Sequence, residues 1–238
     1  EGKLTAKYRA KNPDIGTAKE LLEQIKTEKE RLIKEKKIKP SKPLAPINED
    51  EIPFDIPSSW EWCRLRKTGN AIRGKSPKYT NDITTQTICL NQKCIRWGFI
   101  ELEHAKKVQE NWYQSLDKSI LTKLNDILVN STGDGTIGRS AIVDENSIDM
   151  IFDSHVLLFR NLIANPLYFL YAINSDFGQN QINDLKGAKS TKQTELGVEK
   201  LSSLIFPLPP LEEQKEIVAT IEKLFAICDE LEAEINQK

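Results

Sequence analysis

The sequence predicts an α+β fold: a curved, mostly antiparallel sheet with packed helices, flanked by long coiled-coil-type helical segments. Three observations carry this. Residues 50–210 alternate short apolar runs with turn signals. Residues 17–37 have a capped amphipathic pattern. Residues 211–238 repeat apolar side chains at heptad spacing.

In the N-terminal segment, Thr17-Ala18-Lys19-Glu20 fits a capping box. In that motif the Thr and Glu side chains satisfy amides that the first helical turn leaves unpaired. Leu21, Leu22, Ile25, Leu32 and Ile33 make the apolar stripe, and Lys34-Glu35-Lys36-Lys37 a solvated end. Pro40, Pro43 and Pro46 then enforce an extended linker.

In the middle, strands are expected at 61–66, 86–90, 94–101, 126–131, 139–144, 149–160 and 202–208. Turns are expected at Thr68-Gly69-Asn70, Gly74, Gly133, Gly135, Gly138 and Asn146. Asn165-Pro166 reads as an N-cap with proline at the first helical position, followed by Leu167, Leu170, Tyr171 and Asn174 at helical spacing.

The C-terminal helix follows Pro209 and Pro210, with Glu212, Glu213 and Glu216 at its electropositive start. Ile217, Ile221, Leu224, Cys228, Leu231 and Ile235 form the seam, widened by Val218 and Phe225. An isolated helix cannot bury such a seam, so a partner helix is expected, from a longer parent chain or another subunit. The expected units are an arm and linker at 1–48, a sheet domain at 49–210 and a spacer helix at 211–238.

Composition excludes several classes. Across 238 residues the net charge is -1, which rules out a globally basic nucleic-acid binder. Residues 1–39 hold 12 Lys/Arg against 7 Asp/Glu, and residues 211–238 hold 3 against 8, so the ends are electrostatically complementary. No apolar run approaches the roughly 20 residues that span a bilayer. The first residues lack the pattern of a signal peptide, and the missing initiator Met points to a piece of a longer chain. Cys63, Cys89, Cys94 and Cys228 have no metal or redox spacing, so reduced thiols in a cytoplasmic protein are expected.

Three motifs come near to enzymes. Gly133-Asp134-Gly135-Thr136-Ile137-Gly138-Arg139-Ser140 nearly matches a P-loop, but Arg139 stands where lysine should reach phosphates, so a Gly-rich hairpin is expected. Asn165-Pro166-Leu167-Tyr168 resembles the Asn-Pro-Pro-Tyr run of amino-methyltransferases without its second proline, and capping explains Asn165. Asp153-Ser154-His155 is tempting as a triad fragment, but neighbours on a strand face alternate sides. No Asp/Glu/His cluster has metal-ligand spacing, so no metal site and no catalytic residue are assigned.

Three clusters suit a nucleic acid. The first comprises Arg64, Arg66, Lys67, Arg73, Lys75 and Lys78, fifteen residues without an acidic side chain, and includes Ser76 and Tyr79 in its loop. The second is Gln92, Lys93 and Arg96, beside Trp97. The third is Lys186, Lys189, Ser190, Thr191 and Lys192. Thr136 and Arg139 of the Gly-rich loop join the candidate set. Lys and Arg neutralise phosphates, Ser and Thr bond backbone oxygens, and Arg and Gln can address guanine and adenine edges.

The run Leu204-Ile205-Phe206-Pro207-Leu208-Pro209-Pro210-Leu211-Glu212-Glu213-Gln214-Lys215-Glu216-Ile217-Val218 resembles the end of a recognition domain in specificity subunits of type I restriction-modification systems. The likeness continues through Lys223-Leu224-Phe225-Ala226-Ile227-Cys228-Asp229-Glu230-Leu231-Glu232. Trp60-Glu61-Trp62-Cys63-Arg64-Leu65 is similar to the opening strand of such a domain, and Asn125-Asp126-Ile127-Leu128-Val129 with Gly138-Arg139 to its middle. Glu1-Gly2-Lys3-Leu4-Thr5, Asn12-Pro13-Asp14 and Ala18-Lys19-Glu20-Leu21-Leu22 resemble the segment after the family's central helix.

The resemblance implies a non-catalytic reader of double-stranded DNA holding one recognition domain, where family members typically carry two. This would be the second half of a subunit, or a half-subunit that pairs with itself and reads a symmetric split site. It also implies modification (methyltransferase) subunits docked on the helices, with restriction subunits joining. S-adenosylmethionine, ATP and Mg would reside on those partners and no cofactor on this chain. The competing readings are a stand-alone adenine DNA methyltransferase fragment and a structural coiled-coil adapter.

Overall fold

The computed structural model describes residues 1–133, 135–185 and 195–236. Its first helices are α1 (Ala6–Lys11) and α2 (Ala18–Lys34). The capping box forms as the sequence predicts: the Glu20 amide donates to Thr17 Oγ1 and the Thr17 amide to Glu20 Oε2, at 3.2 and 2.8 Å. Ala18, Leu21 and Ile25 bury the stripe in the main core. A short α1 is an addition to the expected elements.

The central part comprises β1 (Glu61–Arg64), α3 (Leu65–Thr68), β2 (Gly69–Arg73), β3 (Ile88–Leu90), β4 (Lys106–Lys107), α4 (Glu110–Gln114), β5 (Ile127–Asn130), β6 (Ser140–Ile142), β7 (Ile151–Phe152) and β8 (Val156–Asn161). Then come α5 (Pro166–Asn174), α6 (Asp176–Leu185), α7 (Val198–Ser203), β9 (Ile205–Leu208) and α8 (Leu211–Asn236). The fold is α+β, and its strand pairs are antiparallel except β3 with β7.

The four-stranded sheet, in the order β2-β8-β5-β6, is the scaffold. Both of its faces are buried, and the pleat divides its side chains between two cores. Ile127, Val129, Leu157 and Phe159 face the main core, built with α2, α5 to α8 and the β1-β9 ladder. Leu128, Val156, Leu158 and Ala141 face a second core with Leu90, Cys94, Ile95 and Phe152. The register Ile127↔Phe159, Leu128↔Leu158, Val129↔Leu157 keeps each face consistent across β5 and β8. A slip of one residue would exchange the faces.

Several expected boundaries are corrected. The run 61–66 ends as a strand at Arg64, and 202–208 begins inside α7. The stretch 149–160 is two strands, parted at Asp153-Ser154-His155. Residues 94–101 are not a strand: Gly98 takes φ +94° and folds the chain back, so Ile95 bridges Ile100. The turn expected at Gly69-Asn70 is instead the start of β2, paired to β8 through Arg73↔Leu157. Gly69 is needed there because a Cβ would lie 2.4 Å from the Arg160 carbonyl oxygen.

The start of α8 ties the chain together. The fully buried Glu213 carboxylate accepts from Thr5 Oγ1 at 2.6 Å, Trp60 Nε1 at 2.8 Å and the Arg9 guanidinium. The adjacent buried Gln214 donates to the Pro209 carbonyl at 2.8 Å and accepts the Asn165 amide at 2.8 Å. Glu213→Ala leaves the buried Thr5 hydroxyl and Trp60 N–H without their acceptor. It is expected to destabilise the protein by about 3–5 kcal/mol, the range for breaking a buried ion pair. Urea denaturation measures this; an unchanged midpoint would contradict the assignment.

Candidate nucleic-acid interface

Because β2, β8, β5 and β6 alternate in direction, the end of β2, the start of β8, the end of β5 and the start of β6 lie at one end of the sheet. The segments leaving that end are 74–79, 153–155 and 131–139. They are bonded to one another. Gly74 and Lys75 donate to the Val156 and Phe152 carbonyls, both at 3.1 Å, and Ser131 donates to the His155 carbonyl at 2.9 Å. A Cβ at Gly74 would lie 2.0 Å from the Asp153 carbonyl oxygen, so only glycine allows this approach.

The Asn91-Gln92-Lys93 turn joins the same surface, because Asn130 Nδ2 donates to the Gln92 carbonyl at 3.1 Å. Ser131 also pairs with Leu196: the Leu196 amide reaches its carbonyl at 2.9 Å, and its hydroxyl reaches the Leu196 carbonyl at 2.8 Å. The chain entering from residue 195 therefore starts at this surface. The third cluster, Lys186, Lys189, Ser190, Thr191 and Lys192, lies outside the described residues.

The candidate side chains differ in how free they are. Lys75, Ser76, Lys78 and Lys93 are exposed. Tyr79 reaches the Asp153 carboxylate at 3.3 Å, with Lys106 over its ring at 5.1 Å. Arg73 ends β2 and is paired with Glu195, and Arg96 donates to Glu101 at 2.5 Å. Arg139 lies over the exposed Trp97 ring, 5.8 Å from its centroid. Thr136 Oγ1 donates into its own loop, to the Thr132 and Gly133 carbonyls. Arg64 and Arg66 of the first cluster are structural: Arg64 is buried against Glu51 and the Ala45, Pro46 and Ser203 carbonyls, and Arg66 holds Glu199 and the Lys42 carbonyl.

The near-enzyme motifs resolve physically. The Gly-rich run connects β5 to its antiparallel neighbour β6, with Gly133, Gly135 and Gly138 at positive φ, so no helix follows to hold phosphates. Asn165 Oδ1 caps α5 through the Leu167 and Tyr168 amides at 2.9 and 3.3 Å. Asp153 accepts the His155 backbone amide at 2.9 Å rather than its ring. Burial pushes the Cys63 thiol up to about 12 and raises Cys89 and Cys94, so these thiols stay protonated. The fold does gather Glu101, Glu103 and His104, which sequence spacing did not single out; Arg96 already neutralises Glu101.

Of the seam, Ile217 is buried and Ile221 packs against the main core. From Glu222 onward α8 is exposed. Leu224, Leu231 and Ile235 are 50%, 54% and 71% exposed, and Cys228 is exposed and free. Among the described residues no helix is long and apolar enough to cross a membrane.

Asp153 supplies a test of this surface's electrostatics. Burial raises its carboxyl above the ordinary range, against the opposing bond from the His155 amide. Such a group holds its proton more tightly folded than unfolded. Its stabilising contribution is complete below the unfolded pKa and is lost as pH rises through the folded one. Asp153→Asn is therefore expected to flatten the fall in stability as pH rises above the ordinary carboxylate range, with its relative advantage growing as pH rises. Urea midpoints across that rise decide it; a variant that falls further behind the parent at higher pH contradicts it.

Comparison with known proteins agrees with this architecture. The chain is 28% identical to the type I restriction enzyme EcoEI specificity subunit of Escherichia coli, over 98% of its own length and 40% of that subunit. It is 28% identical to the EcoAI specificity subunit of the same organism, over 92% of its own length and 37% of the relative. The chain thus spans about two fifths of these relatives. The HsdS subunit from Thermoanaerobacter tengcongensis superposes with a TM-score of 0.61 at 21% identity, covering 78% of this chain and 46% of that one. A chain from a structure describing complex assembly and conformational transition of the type I R-M system gives 0.58 at 22% identity, covering 78% and 47%. Residues 57–238 match the family described as the type I restriction modification DNA specificity domain, and the chain belongs to that family.

Proposed function

We propose that this chain is the sequence-reading part of a type I restriction-modification specificity subunit and reads one half of a split DNA target. The observation that carries this is the convergence of several loops at one end of a doubly buried sheet. Lys75, Ser76, Lys78, Gln92, Lys93 and Arg139 stand there on a rigid scaffold, in a chain whose relatives are specificity subunits. Free lysines supply phosphate contacts, while amides and guanidinium groups address base edges. Arg73 and Arg96 would act by exchanging Glu195 and Glu101 for phosphate or base.

The exposed half of α8 is the docking surface in this proposal, for modification subunits and for pairing with a second helix. Restriction subunits complete the complex. The chain itself is non-catalytic and cytoplasmic, and S-adenosylmethionine, ATP and Mg are handled by its partners. Methyl transfer by the isolated chain would refute the non-catalytic role.

The experiment is methylation-footprint sequencing from cells carrying the intact locus, before and after exchanging residues 60–205 with a relative's. The methylated sequence is expected to follow the exchanged block; an unchanged sequence overturns the proposal. Within the assembled complex, Lys75→Ala should weaken all sequences about equally and lower the slope of log K against log salt by about one. Leu224→Asp and Leu231→Asp should leave the thermal midpoint within a few degrees of the parent, since both side chains are about half exposed. The same variants should abolish co-purification with modification subunits; retained assembly would remove α8 as the docking surface.

A further inference from the structure

We propose that His155, Thr132 and Gln92 form one reading element that selects adenine over guanine at a single position of the half-site. This rests on the DNA-reading proposal above and deepens it. Thr132 Oγ1 lies 2.8 Å from His155 Nδ1 and 3.1 Å from Gln92 Oε1. The three residues come from three different segments of the candidate surface.

Their backbones are fixed before any ligand arrives. The His155 amide donates to Asp153 Oδ1 at 2.9 Å, and its carbonyl accepts the Ser131 amide at 2.9 Å. The Gln92 carbonyl accepts Asn130 Nδ2 at 3.1 Å. Gly133, at φ +99°, lets the Gln92 carboxamide sit against the loop; a Cβ there would lie 3.1 Å from Gln92 Oε1. His155 is exposed, and Thr132 and Gln92 are half-buried. Among the described residues, neither His155 Nε2 nor the Gln92 amide nitrogen has a hydrogen-bond partner.

Polarity follows from the hydroxyl having a single proton. If Thr132 donates to Gln92 Oε1, it must accept from His155 Nδ1–H. The imidazole then presents Nε2 as an acceptor, and the amide presents N–H. If the carboxamide is turned over, Gln92 donates to Thr132, Thr132 donates to Nδ1, and the imidazole presents Nε2–H while the amide presents its oxygen. In both arrangements the outward groups are one donor and one acceptor. Adenine offers N7 as acceptor and N6 as donor, whereas guanine offers two acceptors, N7 and O6. With the imidazole neutral, the threonine hydroxyl thus forbids the two-donor display that guanine requires.

The test uses the complete complex on DNA with a randomised half-site, read as methylation at each sequence. Thr132→Val frees the two side chains from each other and is expected to admit guanine at one position, lowering discrimination about 10- to 100-fold. His155→Ala and Gln92→Ala should relax the same position, and Thr132→Ser, which keeps the hydroxyl, should behave as the parent. All three positions lie outside the hydrophobic core clusters, so agreement among the variants at one position is the readout. The inference is overturned if the variants keep parental discrimination, weaken all sequences equally, or relax different positions, or if Thr132→Ser relaxes as Thr132→Val does. If exchange of residues 60–205 redirects methylation while these variants do not, only this element fails. If that exchange changes nothing, the DNA-reading proposal has itself failed.

Discussion

The buried Glu213 carboxylate is the contact on which the chain's arrangement depends. It gathers residues distant in sequence: Thr5 and Arg9 from the N-terminal segment and Trp60 from the approach to β1. An ionised carboxylate out of water is costly unless its lone pairs are filled. With three donors present, the cost is offset only when both of those segments are in place against α8. Gln214 does the same for the entry to α5. The Glu-Glu-Gln run is therefore a joint first and a helix start second. It fixes where α8 leaves the domain relative to the sheet.

From that joint the sheet inherits its role. Its two buried faces leave β5 and the first four residues of β8 no solvent-facing side chain, so the proposed contacts are confined to the strand ends. Loops at one end share backbone hydrogen bonds, which holds them in a common frame. A reader of base edges needs that rigidity, because hydrogen-bond discrimination falls off with fractions of an ångström and tens of degrees.

Local chemistry was legible in the sequence. The Thr17-Glu20 capping box, the Asn165 cap and the course of α8 depend on neighbours within a few residues, and each forms as read. What depends on distant partners was not. β2 begins with Gly69 and Asn70, a turn signal, yet is a strand because β8 pairs with it. The run around Trp97 looks extended until Gly98 turns it back. The candidate surface was legible as residue types but not as charge states of contact: nothing local says that Glu195 holds Arg73 or that Glu51 holds Arg64. In the sequence His155 stands beside Asp153, whereas its ring meets Thr132, twenty-three residues earlier.

The two halves of α8 have different surroundings. Its first turns are part of the main core through Ile217 and Val218, while the fifteen residues from Glu222 to Asn236 are exposed over about 22 Å, with Phe225 still meeting the Tyr171 ring edge-on. No glycine or proline interrupts the helix, so it has no built-in hinge. In the proposed reader, the acidic residues of the C-terminal segment repel DNA phosphates and leave the basic loops as the electrostatically favoured contact despite a net charge of -1. A partner that grips the outer half of α8 would therefore set the angle and distance of the sheet's loops through one continuous element. In the proposed reader, spacing between two half-sites is then a property of helix length, and base choice a property of loops, so each can change in sequence without altering the other.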